Sequence, residues 1–196
     1  MARLVGLSTL LFRCVSSQST TCALDAHPGN LLKFRGLAGS SSLPASTFAG
    51  KVTLIVNTAT YCGSTPQLAS LQALHTRFSD AGLVVLGVPC NDFGQQEPDS
   101  EEKIRETYTT KYGVTFPLTA KYSTSGGDPH PFYLHLQHKL GDAGAPQWNF
   151  QKYLVGKDGQ IAGLFEPSLD PLDTQVIHAI EDALNVPSKP SKGEEL

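Results

Sequence analysis

Residues 51–67, KVTLIVNTATYCGSTPQ, join an apolar, β-branched run to a helix start, with a cysteine on the turn between them. Val52, Leu54, Ile55 and Val56 have strand length and strand character. Thr65-Pro66 reads as the start of a helix. Leu68, Leu71, Leu74 and Phe78 then share one helical face up to about Ala81-Gly82, and residues 83–88 are a second apolar run, a strand buried on both faces. Two such strands separated by one amphipathic helix pair in parallel through a right-handed crossover. Cys62 sits on the turn. A thiol handed to a helix N-terminus meets unpaired N–H groups and the positive end of the helix dipole, which both favour the reactive thiolate. A small buried hydrophobe is the other ordinary fate of a free cysteine, and the local pattern admits both.

The rest of the pattern fits around this unit. Residues 31–48 carry Leu32, Phe34 and Leu37, a Gly-Ser-rich turn and Leu43, which predicts a small hairpin ahead of the first strand. Residues 89–98, PCNDFGQQEP, leave the carboxyl end of the second strand. Open α/β sheets bind ligands at that edge, and Cys62 emerges from it too. Asp99 with Glu102 predicts a capped helix to about Tyr112, residues 116–118 a short edge segment, and Pro131 a helix through Phe132, Leu136 and Leu140. Residues 151–156 and 160–165 predict strands joined by an Asp158-Gly159 hairpin turn. Asp170-Pro171 opens a last helix with Leu172, Val176, Ile177, Ile180 and Leu184 on its core side. That order predicts an α/β, thioredoxin-like fold: a central mixed β-sheet flanked by helices, with an N-terminal hairpin and a helical insertion.

A chain of 196 residues accommodates one such domain, here residues 25–186. Residues 1–24 hold Arg3 and Arg13, several Ser and Thr, no acid before Asp25, and Leu4, Leu7, Leu10 and Leu11 at helical spacing. This reads as an organellar targeting presequence, mitochondrial ahead of plastid. A secretory signal is the competing reading, against which Arg13 directly after a short apolar stretch counts. Residues 187–196, rich in Pro, Ser, Lys and Glu, read as a flexible tail. A net charge of -3 gives no reason to expect nucleic acid as a partner, and no apolar run is long enough for stable membrane insertion. Of four cysteines, Cys14 and Cys22 lie in the presequence. Cys62 and Cys90 have neither metal-ligand spacing nor the makings of a disulfide framework, so one reactive and one structural thiol is the simplest account.

Three separated stretches bear on the choice left open for Cys62. Residues 57–65 (NTATYCGST), residues 89–98 (PCNDFGQQEP) and Trp148-Asn149-Phe150 resemble, in order, the three signatures of the glutathione peroxidase family. The similarity runs from about residue 32 to residue 184 and includes residues 113–117 (GVTFP) and His130-Pro131. It implies a thiol peroxidase with Cys62, Gln96, Trp148 and Asn149 as catalytic residues and no cofactor. Glutathione or a thioredoxin-like protein is implied as the reducing co-substrate. Those residue types suit the chemistry. The amides of Gln96 and Asn149 and the indole N–H of Trp148 donate hydrogen bonds to a thiolate without acting as nucleophiles. They also stabilise charge on the departing oxygen. Taken singly, Gln96 reads as a loop residue, Trp148 as a core aromatic and Asn149 as a turn former. Their joint occurrence in order favours the functional reading.

The departures from the family pattern matter as much. Many members carry a second cysteine on the helix after the second signature, where this chain reads TYTTK over residues 107–111. Thr65 stands where thioredoxins place theirs, and Cys90 is expected to be too buried to serve. The resemblance then implies one-cysteine turnover, in which Cys62 forms a mixed disulfide with an external thiol. A sulfenic acid without an internal resolver also admits a second reading, a peroxide sensor that passes oxidation to partner proteins. Ser64, Asp92 and Gln95 replace a bulky apolar residue, a glutamine and a small residue of the usual pattern, and Asp92 is expected to face solvent. His75 and His130 are expected to be surface and helix-start residues. Residues 138–147 are too short for the assembly loop of tetrameric members, which implies a monomer whose open site admits bulky lipid hydroperoxides.

Overall fold

The computed structural model describes residues 31–39 and 41–187; the predicted presequence, and the predicted tail beyond Pro187, lie outside the described residues. The strand–helix–strand unit forms as expected. Strand β1 (Val52–Thr58) and strand β2 (Leu83–Pro89) are buried along their whole length and pair in parallel, from Val52 opposite Leu83 to Thr58 opposite Pro89. Helix α1 (Gln67–Phe78) connects them. Two further helices follow, α2 (Glu101–Tyr112) and α3 (Pro131–Leu140), then the antiparallel strands β3 (Lys152–Val155) and β4 (Ile161–Phe165), and finally α4 (Thr174–Asn185). The sheet order is β2-β1-β3-β4, with β3 antiparallel to β1, which is the mixed sheet of a thioredoxin-like fold.

Strand alternation decides which layer each residue serves. Leu54 and Val56 pack with Leu68, Leu71 and Leu74 of α1 and with Val176 and Ile180 of α4. Ile55, between them, faces Phe132, Tyr133 and Leu136 of α3 on the other side of the sheet. Gly87 interrupts the apolar run of β2 for a steric reason: a Cβ there would stand 2.6 Å from Leu118 and 3.2 Å from Phe116 of the crossing edge segment. Lys152 lies fully buried in β3, with Nζ donating to the carbonyls of Glu166 (3.2 Å) and Pro167 (3.1 Å). Burial lowers its pKa to about 8. Gln67, the first residue of α1, binds the same Pro167 carbonyl, so the loop after β4 is fastened to the head of the helix that follows Cys62.

Three local expectations give way to tertiary context. Ser100, not Asp99, caps α2, its Oγ accepting from the Lys103 N–H, because the Asp99 carboxylate is taken by the Tyr61 hydroxyl at 2.8 Å. Helix α4 starts at Thr174 under an Asp173 cap. Asp170 closes a turn ahead of it by accepting from the Leu172 N–H, which leaves Leu172 42% exposed rather than in the core. The N-terminal hairpin contracts to a single antiparallel bridge, Arg35 opposite Ser42, while Gly36 bridges Thr119.

Candidate active site

Beyond Thr58 the chain leaves the sheet in a tight turn rather than entering α1 directly. The Thr65 N–H donates to the Cys62 carbonyl (3.0 Å) and the Gln67 N–H to that of Ser64 (2.9 Å), so Cys62 precedes the helix by almost a turn and a half. Cys62 is partly buried, and its sulfur accepts a hydrogen bond from the Ser64 N–H at 3.4 Å. The predicted company of unpaired N–H groups is therefore supplied by the turn, not by α1. Thr65 shapes that turn from within. Its buried Oγ1 accepts from the Cys62 N–H (3.1 Å) and has the carbonyls of Ala59 and Cys62 within 2.9 and 2.6 Å. The sequence marked Thr65 as a helix start and as a missing cysteine, not as the shaper of the turn; a threonine three residues after a cysteine on a turn was the available signal.

The second and third signatures converge on the same edge. The Tyr61 N–H donates to the Gln96 carbonyl (3.0 Å), tying the loop after β2 to the residue before Cys62. Asn57, near the end of β1, donates from Nδ2 to the Trp148 carbonyl (3.0 Å) and accepts from the Phe150 N–H (2.7 Å), so the turn carrying Trp148 and Asn149 hangs from the strand that delivers Cys62. Asn149 is fully buried, and its Nδ2 donates to Gln96 Oε1 at 2.9 Å and to the Phe93 carbonyl at 3.3 Å. Both of its amide hydrogens are thereby engaged. The Gln96 amide is fixed through its oxygen, which leaves Nε2 as the end available to a reactant. Trp148 is 44% exposed, its ring 5.8 Å from that of Phe93. Gln96 and Asn149 thus meet as a bonded pair, and Trp148 flanks them at the surface.

Backbone strain concentrates in the same place. Gln95 (φ 53°) and Phe150 (φ 67°), neighbours of Gln96 and Asn149, hold left-handed conformations that cost non-glycine residues on the order of 1–2 kcal/mol. The positive φ explains why a small residue suits position 95. Asp92 is drawn away from the site. Its carboxylate accepts from the N–H groups of Thr124 (2.7 Å) and Ser125 (2.9 Å) and from the Ser123 hydroxyl (3.0 Å). Partial burial pushes its pKa up, but these donors outweigh it and hold the carboxyl below its usual range. His130 caps α3 as expected yet is buried, stacked on Phe34 at 4.0 Å.

Cys90 packs inward, as the sequence implied. It is fully buried beside Thr124 Oγ1 (3.2 Å), and burial pushes its thiol up to about 11. At pH 8, a small alkylating reagent is expected to modify Cys62 in the folded protein and to leave Cys90 untouched until denaturant is added. Peptide mass spectrometry reads both sites, and equal labelling would contradict the burial of Cys90.

A family model described as glutathione peroxidase matches residues 32–137, over half of the chain. The hydroperoxy fatty acid reductase Gpx2 of Synechocystis sp. is 45% identical over 142 residues, 72% of this chain and 90% of that protein. The thioredoxin/glutathione peroxidase BtuE of Escherichia coli is 40% identical over 159 residues, 70% of this chain and 87% of that protein. Among solved structures, Trgpx in its apo form aligns with a TM-score of 0.61 and 33% identity, covering 80% of this chain and 95% of the other.

Proposed function

This chain belongs to the glutathione peroxidase family and is a thiol peroxidase acting on hydroperoxides, and we propose that Cys62 is its nucleophile, with Gln96 as the donor it works against. The observation that carries this assignment is the bonded chain from the Cys62 turn, through the Gln96 carbonyl, to the Gln96–Asn149 amide pair. Thiolate sulfur attacks one peroxide oxygen, and the O–O bond breaks. Its electron pair leaves on the second oxygen, which takes a proton and departs as alcohol or water, leaving Cys62 sulfenic acid. Gln96 Nε2 stabilises the charge on the departing oxygen, and Asn149 keeps that nitrogen in place. A first external thiol then forms a mixed disulfide and releases water; a second restores the thiolate and leaves as the oxidised disulfide.

Both glutathione and a thioredoxin-like protein fit a partly exposed, one-cysteine centre, and the names of the relatives span both. For the substrate, the partial exposure of Cys62 and the surface position of Trp148 support access by bulky lipid hydroperoxides as well as hydrogen peroxide. The short link from α3 to Trp148 supports a monomer. Steady-state reduction of a phospholipid hydroperoxide, with glutathione and thioredoxin supplied in separate assays, tests the reading. Turnover with at least one reductant is the expected result; no peroxide consumed with either would overturn it. Mixed disulfides with specific cellular proteins, alongside poor turnover, would favour the sensor reading, which the burial of Cys90 also supports.

A further inference from the structure

We propose that Glu97 is a positioning residue for the peroxidatic centre: its buried carboxyl clamps the loop carrying Gln96 between helix α2 and the Cys62 turn. The inference rests on the peroxidase reading of Cys62 and Gln96. Glu97 is fully buried, an uncommon place for an acid and a costly one unless its oxygens are bound. Oε2 accepts from the hydroxyl of Tyr108 at 2.7 Å, and Tyr108 is itself fully buried on α2. The Glu97 N–H donates to Asn91 Oδ1 at 2.8 Å, closing the loop on itself. One residue earlier, the Gln96 carbonyl receives the Tyr61 N–H and the Gln96 side chain goes to Asn149. Gln96 and Glu97 therefore grip opposite sides, one the reacting edge and the other the core beneath it.

Further polar atoms surround the carboxyl. Thr60 faces it from the Cys62 turn, and Thr58 and Thr60 face the Tyr108 hydroxyl, yet Thr58 Oγ1, Thr60 Oγ1 and Glu97 Oε1 are all buried without closing a hydrogen bond. Burial is the main influence on the carboxyl and raises its pKa, with Thr60, Tyr108 and the more distant Lys121 opposing. The Thr60 hydroxyl, which both donates and accepts, is the polar group beside Oε1. Glu97 therefore lies between Tyr108 on one side and Thr60 of the Cys62 turn on the other. It touches no reactant in this arrangement; it acts through the position of Gln96.

The test uses the full chain with Glu97→Leu, Glu97→Gln and Tyr108→Phe. Three quantities are measured on each: melting temperature, the rate of Cys62 alkylation by iodoacetamide, and the single-turnover rate of Cys62 oxidation by hydrogen peroxide. Alkylation needs only an accessible thiolate, whereas oxidation also needs Gln96 in place. Glu97→Leu is expected to slow oxidation by about tenfold or more while alkylation stays within about twofold. Glu97→Gln keeps an acceptor for Tyr108 and a donor for Thr60, and should bring oxidation back to within about threefold of wild type. Tyr108→Phe should shift the ratio of the two rates in the same direction as Glu97→Leu, and it serves alone if the leucine variant does not fold. An unchanged ratio in Tyr108→Phe or in folded Glu97→Leu, or a Glu97→Gln protein as slow as Glu97→Leu, would overturn the proposal. A wild-type Cys62 that peroxide does not oxidise would instead overturn the peroxidase reading on which it rests.

Discussion

Cys62→Ser is expected to lower the peroxide-dependent rate by about a thousandfold or more, to the level of the uncatalysed reaction, while changing the melting temperature little. The two halves of that expectation have different causes. A serine hydroxyl does not ionise appreciably near neutral pH, and its oxygen is a poor nucleophile towards a peroxide bond, so attack fails whatever surrounds it. The fold has little stake in the sulfur. Cys62 is half-exposed, and its side chain accepts one hydrogen bond among the described residues, from the Ser64 N–H, which a hydroxyl oxygen also accepts. The turn is instead held by backbone groups and by Thr65 Oγ1, which the substitution leaves in place. Coupled peroxide consumption by the two proteins, with a melting curve for each, reads the result. Equal consumption by wild type and Cys62→Ser would remove Cys62 from the mechanism.

What the sequence made legible was whatever short-range pattern and solvent exclusion decide together. β1 and β2 read correctly because short runs rich in Val, Leu and Ile suit strands covered on both faces. The burial of Cys90 read correctly because it continues such a strand. Misreadings occurred where two nearby residues were equally good local solutions and a distant partner chose between them. Asp99 and Ser100 can each cap α2, and Tyr61, 38 residues away in sequence, takes Asp99 out of contention. Asp170 and Asp173 make the same contest at α4, where the Ser70 hydroxyl reaches Asp170 Oδ2 at 3.2 Å. At the site, motif order singles out Cys62, Gln96, Trp148 and Asn149 as candidates, but not which of them face one another. Nothing in the spacing of Gln96 and Asn149 announces that one amide spends both hydrogens fixing its surroundings, since that depends on where two loops 53 residues apart come to rest. Glu97 was hidden for a related reason: an acid before a proline in a polar loop reads as solvent-facing until Tyr108 is placed over it.

That division of labour between the two amides makes a quantitative prediction. Gln96→Ala removes the donor and is expected to slow Cys62 oxidation by about a hundredfold, the usual loss when one preorganised donor to a developing negative oxygen is deleted. Asn149→Ala leaves the donor but frees its amide to rotate, since Gln96 Oε1 loses its 2.9 Å partner, and should cost nearly as much. If Asn149 works through Gln96, the double variant falls only slightly below either single one. If each amide faced the reactant independently, the losses would multiply to about ten-thousandfold. Asn149→Asp sharpens the distinction. A carboxylate cannot donate to Gln96 Oε1; it accepts from Nε2 instead, turning the useful nitrogen away from the peroxide and burying a charge where Asn149 is wholly enclosed. It should be at least as impaired as Asn149→Ala, despite being nearly isosteric with the native residue. Single-turnover oxidation across this set of variants measures the coupling directly. Multiplicative losses in the double variant would return Asn149 to direct contact with the reacting oxygen, whereas a shared loss makes the hydrogen-bonded amide pair, rather than either residue, the functional partner of Cys62.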